Sequence, residues 1–212
     1  ERTGPGQFSR RRFLGAMAAA GAASFLGRGH AAAPSGMRGI LLIVGDDHGA
    51  QLGCLGTEGL STPVLDGLAA EGALFRQNFC SLASCSPSRA SLLTGLYPHS
   101  HGIPINCHEY FGAQPPAEWM EKYDAANRGR EVHDDVPTMV EVLKRAGYRT
   151  GITQKFHLYP HRKFPFDAWL PGRPESITRF VADCGDQPFF LMHNIPSPHR
   201  PFQGHIRRTG HS

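Results

Sequence analysis

The chain has 212 residues, 40% apolar and 19% charged, with 25 Gly and 17 Pro. No apolar run reaches the roughly 18 residues that a membrane span needs, and the apolar content is too high for a disordered chain. An integral membrane protein, a collagen, a coiled coil and a disulfide-dense miniprotein are therefore excluded. The formal net charge of +4 is local: residues 1–33 hold five arginines against Glu1, leaving 17 basic and 17 acidic residues elsewhere. Nucleic acid loses its main support as a partner. Eleven of the 12 histidines lie in that neutral remainder, so histidine chemistry is the better place to look.

The first 33 residues read as an export signal. Ser9-Arg10-Arg11-Arg12-Phe13-Leu14 precedes a weakly apolar, alanine-dominated stretch from Gly15 to Gly27, and Ala31-Ala32-Ala33 supplies small residues for cleavage after Ala31 or Ala33. The adjacent arginines and the mild hydrophobicity resemble a bacterial twin-arginine signal. This predicts a protein exported to the periplasm or beyond by the twin-arginine machinery, which moves folded chains. An amphipathic or core helix is the alternative, but so few large apolar side chains would bury little.

From Met37 the pattern alternates between strands and helices. Gly39 to Val44 is an all-apolar run of the kind found in a sheet covered on both faces, and it stops at Gly45-Asp46-Asp47. Thr62 to Gly72 has an N-cap Thr, Pro63 at N1, apolar residues at helical spacing and a terminal glycine. A strand is predicted over 73–79. Further on come a helix over 138–146 closed by Gly147, a strand over 148–153 and a strand over 188–193. Residues 104–135 and 158–178 are rich in Pro, Gly and charge and read as loops near a site. The succession predicts an α/β layered fold with a largely parallel sheet. Residues 34–212 end without a closing element, as a cut inside a larger protein would leave them.

The stretch Ser84-Cys85-Ser86-Pro87-Ser88-Arg89 is the most informative. Pro87 suits the first turn of a helix with Ser84, Cys85 or Ser86 as its cap. Cys85 would then stand where unpaired N–H groups and the helix dipole favour an anion, with Arg89 one turn along. An anion pocket around a thiol follows; the plainer alternative is a buried Cys near a surface Arg. Asp46 and Asp47, freed by Gly45 at a strand's C-terminal end, are hard-cation ligands where α/β proteins place their sites, unless they merely shape a turn. Lys155 and His157, two apart in extended chain, project to one side and could bind an oxyanion and move a proton. His199 sits between Pro198 and Arg200-Pro201, which would aim its imidazole. His101 and His108 are candidates for the substrate side, while His99, His161 and His193 are left unassigned. No CxxC spacing suggests zinc, and five cysteines leave at least one outside any set of bridges.

Cys85-Ser86-Pro87-Ser88-Arg89 followed by Leu92-Leu93-Thr94-Gly95 resembles the signature of the type I sulfatases. The order of apolar strand, Asp-Asp, capped helix and cysteine motif is similar to that family's N-terminal half. The resemblance implies an alkaline phosphatase-like α/β/α sandwich with a largely parallel mixed sheet. It implies conversion of Cys85 to formylglycine by a formylglycine-generating enzyme, and a calcium ion held by Asp46, Asp47 and the oxygen of residue 85. The hydrated aldehyde would attack sulfur, Arg89 would support its charge, Lys155 and His199 would hold the sulfate and assist the leaving group, and His157 would take the proton that releases the product. The family's Lys-x-His usually follows Gly, whereas Gln154 stands here, and its second Asp-Asn metal pair has no counterpart between His199 and Ser212. The resemblance therefore implies that residues 34–212 are the N-terminal portion of a catalytic domain, with little or no activity alone. Phe164-Pro165-Phe166-Asp167, Phe189-Phe190-Leu191 and Ser197-Pro198-His199-Arg200 look closest to the heparan N-sulfatase branch, which implies a sulfated amino sugar of the glycosaminoglycan type. A phosphonate or phosphate monoesterase with a similar site, a non-catalytic carbohydrate-binding relative and an exported redox protein are the competing readings; the last needs a thiol partner for Cys85, and Cys80 is a poor one.

Overall fold

The computed structural model describes residues 39–108 and 119–199. The expected leader and the last 13 residues lie outside the described part. Its elements run β1 (Gly39–Asp46), α1 (Pro63–Glu71), α2 (Cys85–Thr94), the short α3 (Pro98–His101), α4 (Met120–Asn127), α5 (Met139–Arg145), β2 (Arg149–Thr153), β3 (Ala168–Leu170), α6 (Pro174–Cys184) and β4 (Phe189–Pro198). The four strands form one sheet in the order β1-β4-β2-β3, and every pairing is parallel, as the alternating pattern requires. No helix among the described residues is long and apolar enough to cross a membrane.

The sheet's two faces carry separate cores because side chains alternate along a strand. Phe190 and Met192 of β4 join Ile152, Ala90, Leu93 and Val140 on the α2–α5 side, whereas Leu191 between them packs with Phe180 and Cys184 of α6 on the other. This is a three-layer arrangement. Gly151 of β2 permits the close approach of α6: a Cβ there would lie 2.9 Å from the Phe180 ring. Helix α5 begins with a capping box between Thr138 and Glu141 and ends before Gly147, whose φ of +87° lies in the left-handed region open to glycine.

Four expectations are corrected. The strand predicted over 73–79 does not form; Phe75 and Phe79 are exposed, and no described strand pairs with the segment, so β-propensity finds no ladder to join. Among the described residues β1 is covered on one face only: Ile40, Leu42 and Val44 pack on the larger core, while Leu41 and Ile43 are about half exposed because α6 reaches β4 and β2 but not β1. Helix α1 forms where expected, yet the Thr62 hydroxyl turns to Asp66 and Gly53 rather than capping it, and none of its residues is buried. The loops over 104–135 and 158–178 contain α4, β3 and the start of α6; β3 is anchored by the Asp167 carboxylate, which accepts from Thr150 N and Oγ1 of β2.

Candidate active site

Parallel strands deliver their C-terminal ends to one edge, and the sequence-identified residues gather there. Asp46 ends β1, where a bulge between Gly45 and Asp46 breaks the register with β4. Lys155 and His157 follow β2, and His199 follows β4. Cys85 is the first residue of α2, preceded by Ser84 in extended conformation.

Asp46 is the hub. Its Oδ2 accepts from Lys155 Nζ at 2.7 Å, its Oδ1 lies 3.5 Å from Arg89 Nη2, and Cys85 Sγ is 3.7 Å from Oδ1. Lys155 Nζ is 3.7 Å from the same sulfur. Asp46, Arg89 and Lys155 are all buried. Arg89 therefore meets Cys85 through a shared carboxylate rather than across a surface turn. Asp47 and His199 form the outer rim, with 3.6 Å between Oδ2 and Nε2.

Three non-glycine residues here have positive φ: Asp47 at 55°, Gln154 at 54° and His157 at 58°. Such residues cost of order 1 kcal/mol each and persist where the surroundings over-determine them. The value at 154 is one that glycine adopts without strain, so Gln154 carries a cost that a glycine there would not. All the described non-glycine residues with positive φ lie at this site.

The electrostatics follow from burial and the two cations. Burial pushes the Asp46 carboxyl up, but the Lys155 hydrogen bond and charge, with the charges of Arg89 and His199, outweigh this and hold it below the ordinary carboxylate range. Burial raises the Cys85 thiol, Lys155 offsets this in part, and Asp46 and Asp47 add to it. Residue 85 is therefore a protonated thiol, a poor nucleophile in its unmodified form. His157 Nε2 lies 2.7 Å from the Cys107 carbonyl, which can only accept, so Nε2 carries the proton and Nδ1 the lone pair. Burial lowers its pKa to about 4. It stands as a neutral base.

His161, packed against Phe156, Tyr123 and Trp169, is likewise lowered to about 4 by burial. Both groups bind protons less readily folded than unfolded, so stability falls as pH drops from about 6.5 toward 4. Denaturant unfolding followed against pH is expected to show proton uptake in that window, to which His101 and His193, also lowered by burial, contribute, and His161→Phe should reduce it by about one. An unchanged uptake in the variant would contradict the assignment.

Sequence reasoning missed three positioning groups. Asn106, twenty residues on from Ser86, caps the start of α2: its Oδ1 accepts from Ser86 N at 3.0 Å and from Ser84 Oγ at 2.8 Å. Cys107 N donates to Ser86 Oγ while its carbonyl takes His157, tying the base to the nucleophile's helix. Asn194 is buried on β4, and its Oδ1 accepts from Arg89 Nη1 at 2.7 Å. For Asn194 a signal existed, since it is the first amide after an apolar strand, at the end where α/β sites form. His101 is corrected: it is fully buried, bonded to Ser91 Oγ and Ile103 N, and does not line a substrate side. His108 is exposed, its backbone N–H held by Asn127. His193 bonds Thr153, and His99 stacks on Tyr97. The five cysteines are all free thiols in the structure.

One ligand atom each from Asp46, Cys85 and His199 lies within 4.8 Å of the others. The carboxylates of Asp46 and Asp47 are hard donors, whereas a thiol is soft. The set fits a hard cation once the sulfur of residue 85 is replaced by oxygen.

A sulfatase family model matches residues 38–178. Human N-sulphoglucosamine sulphohydrolase is 33% identical over 177 residues, which cover 77% of this chain and 32% of that protein. Bovine arylsulfatase A is 40% identical over 185 residues, covering 76% and 33%. The chain thus spans about a third of the length of these relatives. Among solved structures, one described as a sulfatase from Bacteroides fragilis aligns with a TM-score of 0.61 at 23% identity, covering 77% of this chain and 44% of that one. The phosphonate monoester hydrolase of Agrobacterium radiobacter aligns at 0.52 and 21%, covering 78% and 42%, so the fold alone does not select the oxyanion. The fold is the alkaline phosphatase-like α/β architecture expected from the motif order, and the chain belongs to the sulfatase family.

Proposed function

We propose that the protein hydrolyses sulfuric esters or sulfamates of a glycosaminoglycan-type sugar, with formylglycine at position 85 and a calcium ion beside it. The observation that carries this reading is the seating of Cys85 at the start of α2, with Lys155 Nζ and Asp46 Oδ1 each 3.7 Å from its sulfur. The sulfated sugar is supported by the relative that acts on N-sulphoglucosamine and by a structural neighbour (TM-score 0.57, 23% identity, covering 81% of this chain and 36% of that one) solved with its substrate D-glucosamine-2-N,6-O-disulfate.

Sulfatases generally use formylglycine and a metal ion; the hydrated aldehyde supplies the hydroxyl that attacks sulfur, and the cation supports its charge. The Cys85 sulfur marks where that oxygen would stand, and Asp46, Asp47 and residue 85 would hold the ion. Calcium prefers about six to eight oxygens, so ligands beyond the described residues would complete the shell. Lys155 and Arg89 orient the sulfate group and face the charge that builds on it. His199, at the rim, donates a proton to the departing alcohol or amine. His157, neutral with its lone pair on Nδ1, accepts the proton whose loss frees the product. Residues 1–33 would act as a twin-arginine signal, exporting the protein after a formylglycine-generating enzyme has acted on Cys85.

Peptide mass spectrometry across Ser84–Arg89, on protein from its native host, tests the reading: conversion of thiol to aldehyde removes about 18 Da. A wholly unmodified thiol in active protein would refute it. Phosphonate hydrolysis is the second reading, favoured by the shared fold; faster turnover of an aryl phosphonate than of an aryl sulfate would select it.

A further inference from the structure

Arg89 is one turn into α2 and 4% exposed, so its guanidinium needs acceptors as well as charge compensation. Asp46 supplies a carboxylate oxygen to Nη2, and Asn194 supplies an amide oxygen to Nη1. Asn194 is itself 1% exposed and held on both sides: its Nδ2 donates to the Thr153 carbonyl at 3.0 Å, and its backbone N–H donates to Thr153 Oγ1 at 3.0 Å. Turning the amide over would place NH₂ against the guanidinium and oxygen against a carbonyl, so only one orientation satisfies both neighbours. The clamp spans α2, β2 and β4, and thereby fixes the guanidinium relative to Lys155, which leaves β2 two residues after Thr153.

We infer that Asn194 is a positioning residue that holds the Arg89 guanidinium through a neutral acceptor and so keeps the buried charge of the pocket positive. This rests on the proposed sulfate-hydrolysing function. Arg89 and Lys155 are buried cations and Asp46 the one buried carboxylate of the trio, leaving a surplus of one positive charge for an anionic substrate. An aspartate at 194 would match the shape and keep the bond from Arg89, losing the one to the Thr153 carbonyl, and it would cancel that surplus. Neutrality of the acceptor is therefore a feature of anion binding, separate from its role in packing.

The test compares Asn194→Asp and Asn194→Ala in the whole protein, with inorganic sulfate as the probe by calorimetry and an aryl sulfate for kinetics. Asn194→Asp is expected to weaken sulfate binding and raise KM by about tenfold or more, an effect set by one added charge at short range. Its kcat should fall less than its KM rises. Asn194→Ala, which leaves Arg89 unclamped, is expected to lower kcat by about 10- to 100-fold. A merely structural role predicts the reverse order, with Asn194→Asp, which keeps the bond from Arg89, less damaging than Asn194→Ala and no weaker in sulfate binding. Sulfate affinity and KM unchanged in Asn194→Asp overturn the inference alone. Failure of the wild-type protein to bind sulfate or hydrolyse the aryl sulfate overturns the functional reading and this inference with it.

Discussion

Cys85→Ala, in protein from the native host, is expected to reduce sulfate release by on the order of 10⁴-fold or more, as removal of a covalent nucleophile does elsewhere. The reason is positional. The Cys85 sulfur lies 3.7 Å from both the Lys155 ammonium and an Asp46 oxygen, and in the proposed function residue 85 is the group that would meet an oxyanion held by Lys155 and Arg89. His157 and His199 can move protons, but neither replaces a nucleophile. Stability should change little, because the thiol is only half-buried and makes weak sulfur hydrogen bonds. Sulfate release and thermal unfolding, measured side by side, separate the two effects. Activity within tenfold of wild type would place the nucleophile elsewhere and remove the basis of the proposed function.

Asp46→Asn is expected to be the most costly single change to stability, by about 3–5 kcal/mol in protein stripped of metal with a chelator. The carboxylate lies between two cations, and the side chains of Asp46, Lys155 and Arg89 are all 7% exposed or less. An asparagine keeps the shape, but only one of its two terminal atoms can accept. Either Lys155 or Arg89 then faces a donor, and both lose their buried counter-charge. Adding Lys155→Met should recover much of the loss, since an uncompensated ammonium is then replaced by an apolar chain of similar reach. Urea unfolding of the single and double variants checks both statements. The interaction carries a pH signature too: the Asp46 carboxyl is held below its ordinary value, so its stabilising contribution is present above that value and is lost as pH falls through the depressed one. A single variant as stable as wild type would mean that the trio is solvated.

How much the sequence settles differs between the frame and the site. The Asp-Asp pair after β1, the cysteine helix, the Lys-x-His after β2 and the histidine after β4 are all legible, because local chemistry marks them: carboxylates at a strand end, proline and serines at a helix start, a guanidinium one turn along. Parallel topology is legible for the same reason, since apolar runs alternate with helical ones. Where a segment needs a partner distant in the chain, local pattern fails. Residues 73–79 have strand-like composition but no ladder to enter, and β1 looks buried on both faces though α6 covers only its neighbours. The pairings that organise the site are equally non-local. Asn106 caps the start of α2 by holding Ser86 twenty residues earlier, the Cys107 carbonyl fixes the tautomer of a histidine fifty residues on, and Asn194 grips an arginine 105 residues earlier. Such amides and carbonyls carry no signal of their own, because a hydrogen bond depends on which strands and helices end side by side. The kinds of chemistry available are written along the chain; which acceptor meets which donor, and which charge stays uncompensated, is settled only once the sheet has gathered its strand ends.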